Sequence, residues 1–169
     1  MRFRRIAAAA VAMAGVVAVT VACQVPNQAT LVGINSFDTG RGGSINVEFT
    51  FNQGLPATAT ARYVTTPPLT PSGKAVAVDG VLFVQVSFTP AAAHDARGVA
   101  TAPGAYYPAQ RISHPVGVTD TKVAEVAQYE DFEGYVGYVI GIKPGWGSDR
   151  HILVSKAGDT VTVVLHYAG

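Results

Sequence analysis

Alternation of apolar and polar residues along much of the chain predicts β-strands. In residues 44–51 every second side chain, from Ile45 to Phe51, is apolar. A period of two places one set of side chains on the buried face of a sheet and the other on its solvent face. Residues 81–88 and 160–167 show the same pattern. These three segments are therefore predicted to be half-buried strands.

Four further segments show a weaker alternation, and turn signals separate them. The weaker strands are predicted at residues 58–64, 74–78, 135–142 and 151–155. Residues 122–129 fit either a short helix or a strand, and we favour the strand. Asp79-Gly80 and Ala157-Gly158-Asp159 are typical of hairpin turns, and a proline-rich loop spans residues 67–73. Many short strands with such turns predict an all-β fold, a two-sheet β-sandwich of about seven to nine strands.

Residues 89–115 interrupt the strand pattern with one long connection. The segment TPAAAHDARGVATAPGAYYPAQRISHP is too rich in alanine, proline and glycine for a regular strand. Loops of this length are uncommon inside a compact domain and are often functional when they occur. We therefore expect candidate binding residues in this loop.

The N-terminal segment has a composition that differs from the rest of the chain. Three arginines in the first five residues precede seventeen uncharged residues, 6–22, most of them alanine and valine. This order predicts a signal peptide over residues 1–22, too short and too weakly apolar for a permanent membrane span. Without it, nine Lys and Arg face eleven Asp and Glu. These scattered cations do not form the basic patch that nucleic-acid binding requires.

The only cysteine of the chain, Cys23, directly follows the predicted signal peptide. The residues TVAC that end there resemble a bacterial lipobox, although Thr20 stands where that motif usually has an aliphatic residue. A lone cysteine in an exported protein has no intramolecular disulfide partner. We predict a lipid on Cys23, residues 23–36 as the lipidated N-terminus and flexible tether, and residues 37–169 as the folded domain. Ordinary cleavage near Ala22, which would release a secreted protein, is the alternative.

Three separated motifs within residues 37–167 keep a recognisable order. They read VEFTFNQGLPATATARYV, FVQVSFTPAAAHDARGVATAPGAYYPAQRI and YEDFEGYVGYVIGI. Their matching features are Phe49, Gly54, Tyr63, the 90–95 segment with His94 and Asp95, Pro103, Gly104, Asp131, Phe132, Glu133 and Gly134. Together they resemble the AMIN-like domain family of exported bacterial proteins and lipoproteins.

The resemblance implies a β-sandwich and a binding role. AMIN domains are attached to cell-wall amidases and to envelope transport proteins, where they bind peptidoglycan, and the analogy of fold extends this expectation to the present chain. The zinc-binding catalytic domain of an amidase has no counterpart in the sequence. The chain departs from the family pattern in residues 143–156, which contain GWGSDR, and in a closing strand without the expected arginine.

Candidate catalytic groups are weak in this sequence. The four histidines form no closely spaced pair, and neither a GxSxG elbow nor a phosphate-binding loop is present. His94 and Asp95 are neighbours that point apart in an extended segment, so we expect Asp95 to cap a turn and His94 to bond loop backbone. Asp131 and Glu133 could pair as glycosidase carboxylates, but the following Gly134 favours a solvated rim. We predict no enzyme, no metal site and no cofactor.

Aromatic residues outside the strands are the better binding candidates. Trp146, the only tryptophan, is flanked by glycines, and Tyr106 and Tyr107 lie in the long loop. Exposed rings can stack on sugars or anchor a protein partner. The alternative for Trp146 is that it folds back over one end of the sandwich. The candidate ligand-binding residues are Trp146, Tyr106, Tyr107, His94 and Asp95.

Three functions are compatible with the sequence, because β-sandwiches host many activities. The first is a non-catalytic lipoprotein on the outer face of the cell membrane, bound to it through the N-terminal lipid, which binds peptidoglycan, another wall glycan or an envelope protein. The second is a carrier that holds a lipid or a small apolar ligand inside the β-fold. The third is an enzyme whose active site leaves no sequence motif.

Overall fold

The computed structural model describes residues 28–39, 43–107 and 122–167. The described residues form ten β-strands and no helix, so none of them belongs to a helix that could cross a membrane. The predicted signal peptide and Cys23 lie outside the described residues.

The strands follow one another with short turns and three longer connections. Their bounds are β1 (Ala29–Asp38), β2 (Ser44–Asn52), β3 (Thr58–Val64), β4 (Leu82–Thr89), β5 (Ala91–Ala92), β6 (Ala105–Tyr106), β7 (Val123–Phe132), β8 (Tyr135–Ile142), β9 (Arg150–Ala157) and β10 (Thr160–Tyr167). The all-β prediction is confirmed, with ten strands where about seven to nine were expected. Two of the ten, β5 and β6, are two-residue strands inside the predicted long loop.

Two five-stranded sheets pack against each other as a β-sandwich. Sheet A has the order β5-β1-β2-β10-β9, and sheet B has the order β3-β4-β8-β7-β6. Neighbouring strands are antiparallel except β1 and β5. The predicted hairpin at residues 157–159 is confirmed, because the pairing of Thr160 with Ala157 leaves Gly158 and Asp159 as a two-residue turn.

The inner faces of the two sheets form one hydrophobic core. The apolar half of the alternating pattern is buried in all three strongly predicted strands, except that Leu82 and Tyr167 at the strand ends are partly buried. At the centre, the ring of Phe49 lies 4.9 Å from that of Phe88 and 5.7 Å from that of Tyr138. Phe51 also contacts Phe88, at 5.1 Å. Rings from both sheets therefore occupy the middle of the sandwich.

Residues 122–129 belong to a strand, as favoured, and the helix alternative is wrong. They form most of β7, which pairs with β8 along its whole length. Two irregularities, between Val123 and Glu125 and between Gln128 and Glu130, break the period of two. This explains why the segment lacked a clean strand pattern in the sequence.

The predicted tether is wrong from residue 29 onwards. β1 begins at Ala29 and pairs with β2 and β5, and its side chains Ala29, Leu31 and Ile34 are at most 3% exposed. A register shift between Leu31 and Gly33 disturbs the alternation of this strand. The sequence therefore showed no period of two there, although the segment is part of the core.

The strand predicted at residues 74–78 is also wrong. These residues belong to the connection between β3 and β4, residues 65–81, where Ala75 makes only an isolated bridge with Leu69. Gly80 does not turn a hairpin. It lies against β8, where an added Cβ would be 2.8 Å from the backbone nitrogen of Ile142. Close packing of two backbones, and not a turn, therefore explains this glycine.

Candidate functional site

An open groove of about 590 Å³ lies beside the end of β3. Its lining consists of Gln85 and the eight consecutive residues from Arg62 to Leu69. The volume falls in the range of roughly 300–1,000 Å³ that is typical of ligand sites. We call this feature the Arg62 groove.

The wall of the Arg62 groove is the first part of the β3–β4 connection. Pro67 and Pro68 lack a backbone N–H and cannot extend the sheet, so the chain turns away from β3. A tight turn then braces the wall: the Thr70 N–H donates to the Lys74 carbonyl, and the Gly73 N–H donates to the Thr70 carbonyl, both at 2.8 Å. A hydrogen-bonded turn over residues 70–74 therefore follows directly on the wall.

The floor of the Arg62 groove continues into a row of hydrogen-bonded side chains on the outer face of sheet B. Nε and Nη2 of Arg62 donate to Oε1 of Gln85 at 3.0 and 2.7 Å. Nε2 of Gln85 donates to the Tyr129 hydroxyl at 2.9 Å, which lies 3.0 Å from the Tyr135 hydroxyl. We call these four residues the polar band. It crosses β3, β4, β8 and β7.

The polar band depends on a missing side chain in β8. A Cβ on Gly137 would lie 2.3 Å from Cζ of Tyr129, so only glycine lets the ring lie flat across this strand. Burial and the hydrogen bond with Tyr135 raise the pKa of Tyr129 well above its usual value. The phenol therefore stays neutral near pH 7 and acts only as a hydrogen-bonding group.

The charge at the Arg62 groove is positive. Arg62 is the one charged residue among the nine that line it. Its contact with Gln85 uses Nε and Nη2 and leaves the Nη1 donors for a ligand. Burial raises the pKa of Tyr63, while contact with Trp146 and the charge of Arg150 oppose this rise.

His94 is paired with a distant residue and not with its neighbour. Nδ1 of His94 lies 2.7 Å from Oδ2 of Asp131, and Oδ1 of Asp131 accepts a hydrogen bond from the Ala93 N–H at 3.1 Å. The prediction that His94 bonds loop backbone is therefore wrong. Asp131 is not a solvated rim residue either, because its carboxylate holds the long loop against β7.

Asp95 and Glu133 behave as predicted. Oδ1 of Asp95 accepts hydrogen bonds from the N–H groups of Arg97 and Val99 at 2.8 and 2.9 Å, which confirms that Asp95 caps a turn. The Val99 N–H and the Arg97 side chain lower the pKa of this carboxyl. Glu133 is exposed in the β7–β8 turn. The described residues contain no group of three or more His, Cys, Asp or Glu that could hold a metal ion.

Of the three predicted binding rings, only Tyr107 is exposed. Trp146 is 9% exposed and its ring lies 4.6 Å from that of Tyr167, so the alternative in which it folds back is confirmed. Tyr106 is 8% exposed, and its hydroxyl accepts a hydrogen bond from the Ser36 N–H at 3.2 Å. Tyr107 is 41% exposed, and its hydrogen bond with Glu125 raises its pKa.

The five predicted binding residues lie at three places in the fold. His94 and Asp95 follow β5 at the edge of sheet A, while Tyr106 and Tyr107 lie at the edge of sheet B. Trp146 packs beside β10. A role for any of them in ligand binding stays a prediction.

The four residues of the polar band were missed by the sequence analysis. A signal was present for two of them, because Arg62 and Gln85 occupy the polar half of their alternating patterns. The sequence did not reveal that β3 pairs with β4 so that these two residues face each other. Tyr129 was hidden by the irregular register of β7.

The filled core between two sheets and the open groove beside β3 define the described residues as a β-sandwich domain. More specifically, the chain belongs to the AMIN-like domain family, whose model matches residues 46–157. This confirms the resemblance noted in the sequence, and the matched span contains the Arg62 groove and the polar band. AMIN-like domains occur in exported bacterial envelope proteins and are generally non-catalytic binding domains. Neither a curated protein nor a solved structure matches the chain.

Proposed function

We propose that this protein is an exported cell-envelope lipoprotein whose non-catalytic AMIN-like domain binds cell-wall glycan in the Arg62 groove. The observation that carries the proposal is the groove itself, with its floor of ordered polar side chains. An envelope protein that occupies the same groove is the alternative partner.

The chemistry of the groove supports a glycan ligand. Sugars present many hydroxyl groups together with small apolar patches of C–H groups. For the hydroxyl groups, the lining offers the second N–H of Gln85 Nε2 and the hydroxyls of Thr65 and Thr66. For the apolar patches, it offers Pro67, Pro68 and Leu69. Hydrogen bonds within the polar band hold Gln85 in place, which reduces the entropy lost when a ligand binds.

Co-sedimentation with isolated cell wall tests glycan binding. The full-length chain, purified in detergent, is mixed with wall fragments and pelleted. We expect Gln85→Ala to weaken binding by about fivefold, the value of one hydrogen bond of about 1 kcal/mol. Thr162→Ala, on the outer face of sheet A, is the matched control and should bind normally.

Two results would contradict the proposal. One is a wild-type chain that stays in the supernatant, and the other is Gln85→Ala binding as well as wild type. A third variant, Trp146→Ala, addresses the ring predicted from the sequence. Loss of binding by a folded Trp146→Ala chain, with Gln85→Ala unaffected, would move the ligand to the Trp146 end of the sandwich.

The lipid on Cys23 belongs to the same proposal. Its support is the predicted signal peptide followed at once by the only cysteine. Because β1 begins at Ala29, only five residues separate Cys23 from the sandwich. At about 3.3–3.6 Å per residue these span at most roughly 18 Å, so the domain would bind glycan close to the membrane surface.

Intact-mass analysis of membrane-extracted protein tests the anchor. We expect a chain that begins at Cys23 and carries the mass of at least two acyl groups, since one chain alone binds membranes only weakly. Cys23→Ser should appear in the soluble fraction. A mature chain that starts after residue 23 without acyl mass would rule out the anchor and leave a secreted protein.

The carrier hypothesis has less support. The ring of Phe49 contacts those of Phe88 and Tyr138 across the centre of the sandwich, so an apolar ligand there would have to displace these rings. Mass spectrometry of solvent extracts from the purified chain provides the test. A stoichiometric lipid would favour a carrier.

A further inference from the structure

The charge of the Arg62 groove points beyond glycan binding in general. Its single charged lining residue is a guanidinium, and an open site with one cation favours a ligand with an anionic group. We propose that the Arg62 groove selects an anionic wall polymer, with a carboxylate or phosphate oxyanion on the guanidinium of Arg62 and a neighbouring hydroxyl on the remaining Nε2–H of Gln85. This inference rests on the proposed glycan-binding function and names the chemistry that the site recognises.

Two hydrogen bonds to Gln85 orient the exposed guanidinium of Arg62. Both hydrogen bonds from Arg62 end on one atom, Oε1 of Gln85, while Nε2 of Gln85 is bound to the Tyr129 hydroxyl. The planar fork of arginine matches carboxylate and phosphate groups, but only when its plane is oriented towards them. Because the band already orients Arg62, little side-chain freedom is lost on binding.

Charges around the polar band differ between its two ends. At the groove end lies Arg62, the one charged residue of the lining. At the other end the negative charge of Glu130 acts on Tyr129 and contributes to its raised pKa. An anionic group on the outer face of sheet B is therefore attracted to the Arg62 end and repelled from the Tyr129 end. The ligand would bind in one orientation.

Two kinds of wall polymer carry the required oxyanion. Sugar acids present carboxylates, and polyol chains present phosphates, and both fit a guanidinium fork. The full-length chain in detergent is titrated with four probes: peptide-free peptidoglycan strands with free lactyl carboxylates, the same strands with these carboxylates reduced to alcohols, a neutral chitin oligosaccharide, and a polyol-phosphate polymer.

We expect at least one anionic probe to bind about tenfold more tightly than the neutral ones, and added salt to reduce the difference. Arg62→Gln should abolish the preference, and Arg62→Lys should keep part of it, because the charge remains while the fork is lost. Arg97→Gln is the matched control. It removes an exposed arginine that pairs with Asp95 elsewhere on the surface. Unchanged fluorescence of Trp146 verifies that the variants are folded.

Each outcome has a distinct meaning. Binding of the carboxylated strands or of the polyol phosphate, lost in Arg62→Gln, supports the inference and identifies the source of the oxyanion. Equal affinity for the native and the reduced strands, with no preference for polyol phosphate, would overturn anionic selection while glycan binding stands. Failure of all four probes to bind would overturn the proposed function itself. A preference that Arg97→Gln also abolishes would show a general charge effect and overturn the role of Arg62.

Discussion

The outer faces of the two sheets are covered to very different extents. Val139 points outward from β8, the central strand of sheet B, and is fully buried, whereas the outward residues Asn46, Glu48 and Thr50 of β2, the central strand of sheet A, are only half-buried. Both sheets have five strands, so the size of the sheet does not explain the contrast. The difference lies in the β3–β4 connection, whose residues Val78 and Asp79 lie directly on Gly141 of β8.

Side-chain size along β8 accounts for this covering. Its outward residues Gly137, Val139 and Gly141 form a shallow row between the larger side chains of neighbouring strands. The ring of Tyr129 lies on Gly137, and backbone lies on Gly141. Glycines that alternate with buried residues in a strand therefore mark a face on which another part of the chain packs. The groove lies on sheet B, where the first residues of the β3–β4 connection form its wall.

The largest effect is expected from a substitution that displaces the β3–β4 connection from sheet B. In Gly141→Ala the new Cβ would lie 1.8 Å from the carbonyl oxygen of Asp79, so the β3–β4 connection must move. Overpacking of this kind costs about 3 kcal/mol, the upper end of its usual range. Urea unfolding followed by the fluorescence of Trp146 measures the loss.

Sheet A supplies the matched control for this substitution. On Gly33 an added Cβ would meet no atom nearer than Cβ of Thr50, at 3.8 Å. We expect Gly33→Ala to change the free energy of unfolding by less than about 0.5 kcal/mol. If the two substitutions destabilise the protein equally, the covering of sheet B does not make it the more sensitive face.

Each sheet also carries an outward-facing carboxylate whose removal can be compared, Glu125 in sheet B and Glu48 in sheet A. Glu125 in sheet B is 5% exposed, and its Oε2 accepts a hydrogen bond from the Asp79 N–H at 2.9 Å. Glu125→Ala leaves that part-buried N–H without its acceptor and should cost about 2 kcal/mol in urea unfolding. Glu48→Ala, at a half-buried outward position of sheet A, should cost less than about 0.5 kcal/mol. If both variants lose a similar free energy of unfolding, the covered face of sheet B is no more sensitive to loss of a carboxylate than the outer face of sheet A.

The sequence predicted the inner faces of the sandwich well and its outer layer poorly. Strands with strict alternation, such as β2 and β10, were found because burial of one face leaves a period of two in the sequence. The connection over sheet B left no such period, so residues 74–78 were assigned to a strand. Gly80 was assigned to a hairpin because turns and close backbone contacts both select glycine.

The candidate site could be predicted only in part for a related reason. Arg62 and Gln85 were recognisable as outward residues, but their contact depends on strand pairing between distant segments. Trp146 was expected to be exposed because glycines flank it, and yet it packs on Tyr167. The pairing of His94 with Asp131 joins residues 37 positions apart. Local sequence does not encode such long-range contacts.

Alkaline pH should reveal a smaller effect on sheet B. Tyr129 has a pKa raised above the usual value of 10.0, because of burial and its bond with Tyr135. A phenol whose pKa is higher in the folded than in the unfolded chain stabilises the fold fully below pH 10.0, and this stabilisation is lost as pH rises further. Stability should therefore fall above this pH.

Tyr129→Phe should make the alkaline fall shallower, although it cannot abolish it. Tyr138, in the core, also has a pKa raised by burial and by the charge of Asp131. Unfolding free energies of wild type and Tyr129→Phe between pH 9 and about 11 provide the measurement. Identical slopes for the two chains would mean that Tyr129 does not hold its proton more tightly in the folded state.

The smallest expected effect concerns the bare face of sheet A. Leu153 lies in register with Val164, which in turn pairs with Asn46, so these residues form an open row across three strands. Leu153→Thr keeps a good strand former at an exposed position, and stability should change by less than about 0.5 kcal/mol. Binding to cell wall should also stay unchanged, because the Arg62 groove lies on the opposite sheet. Reduced wall binding by a folded Leu153→Thr chain would instead place the ligand on the outer face of sheet A. The residues that cover sheet B would then contribute to stability alone.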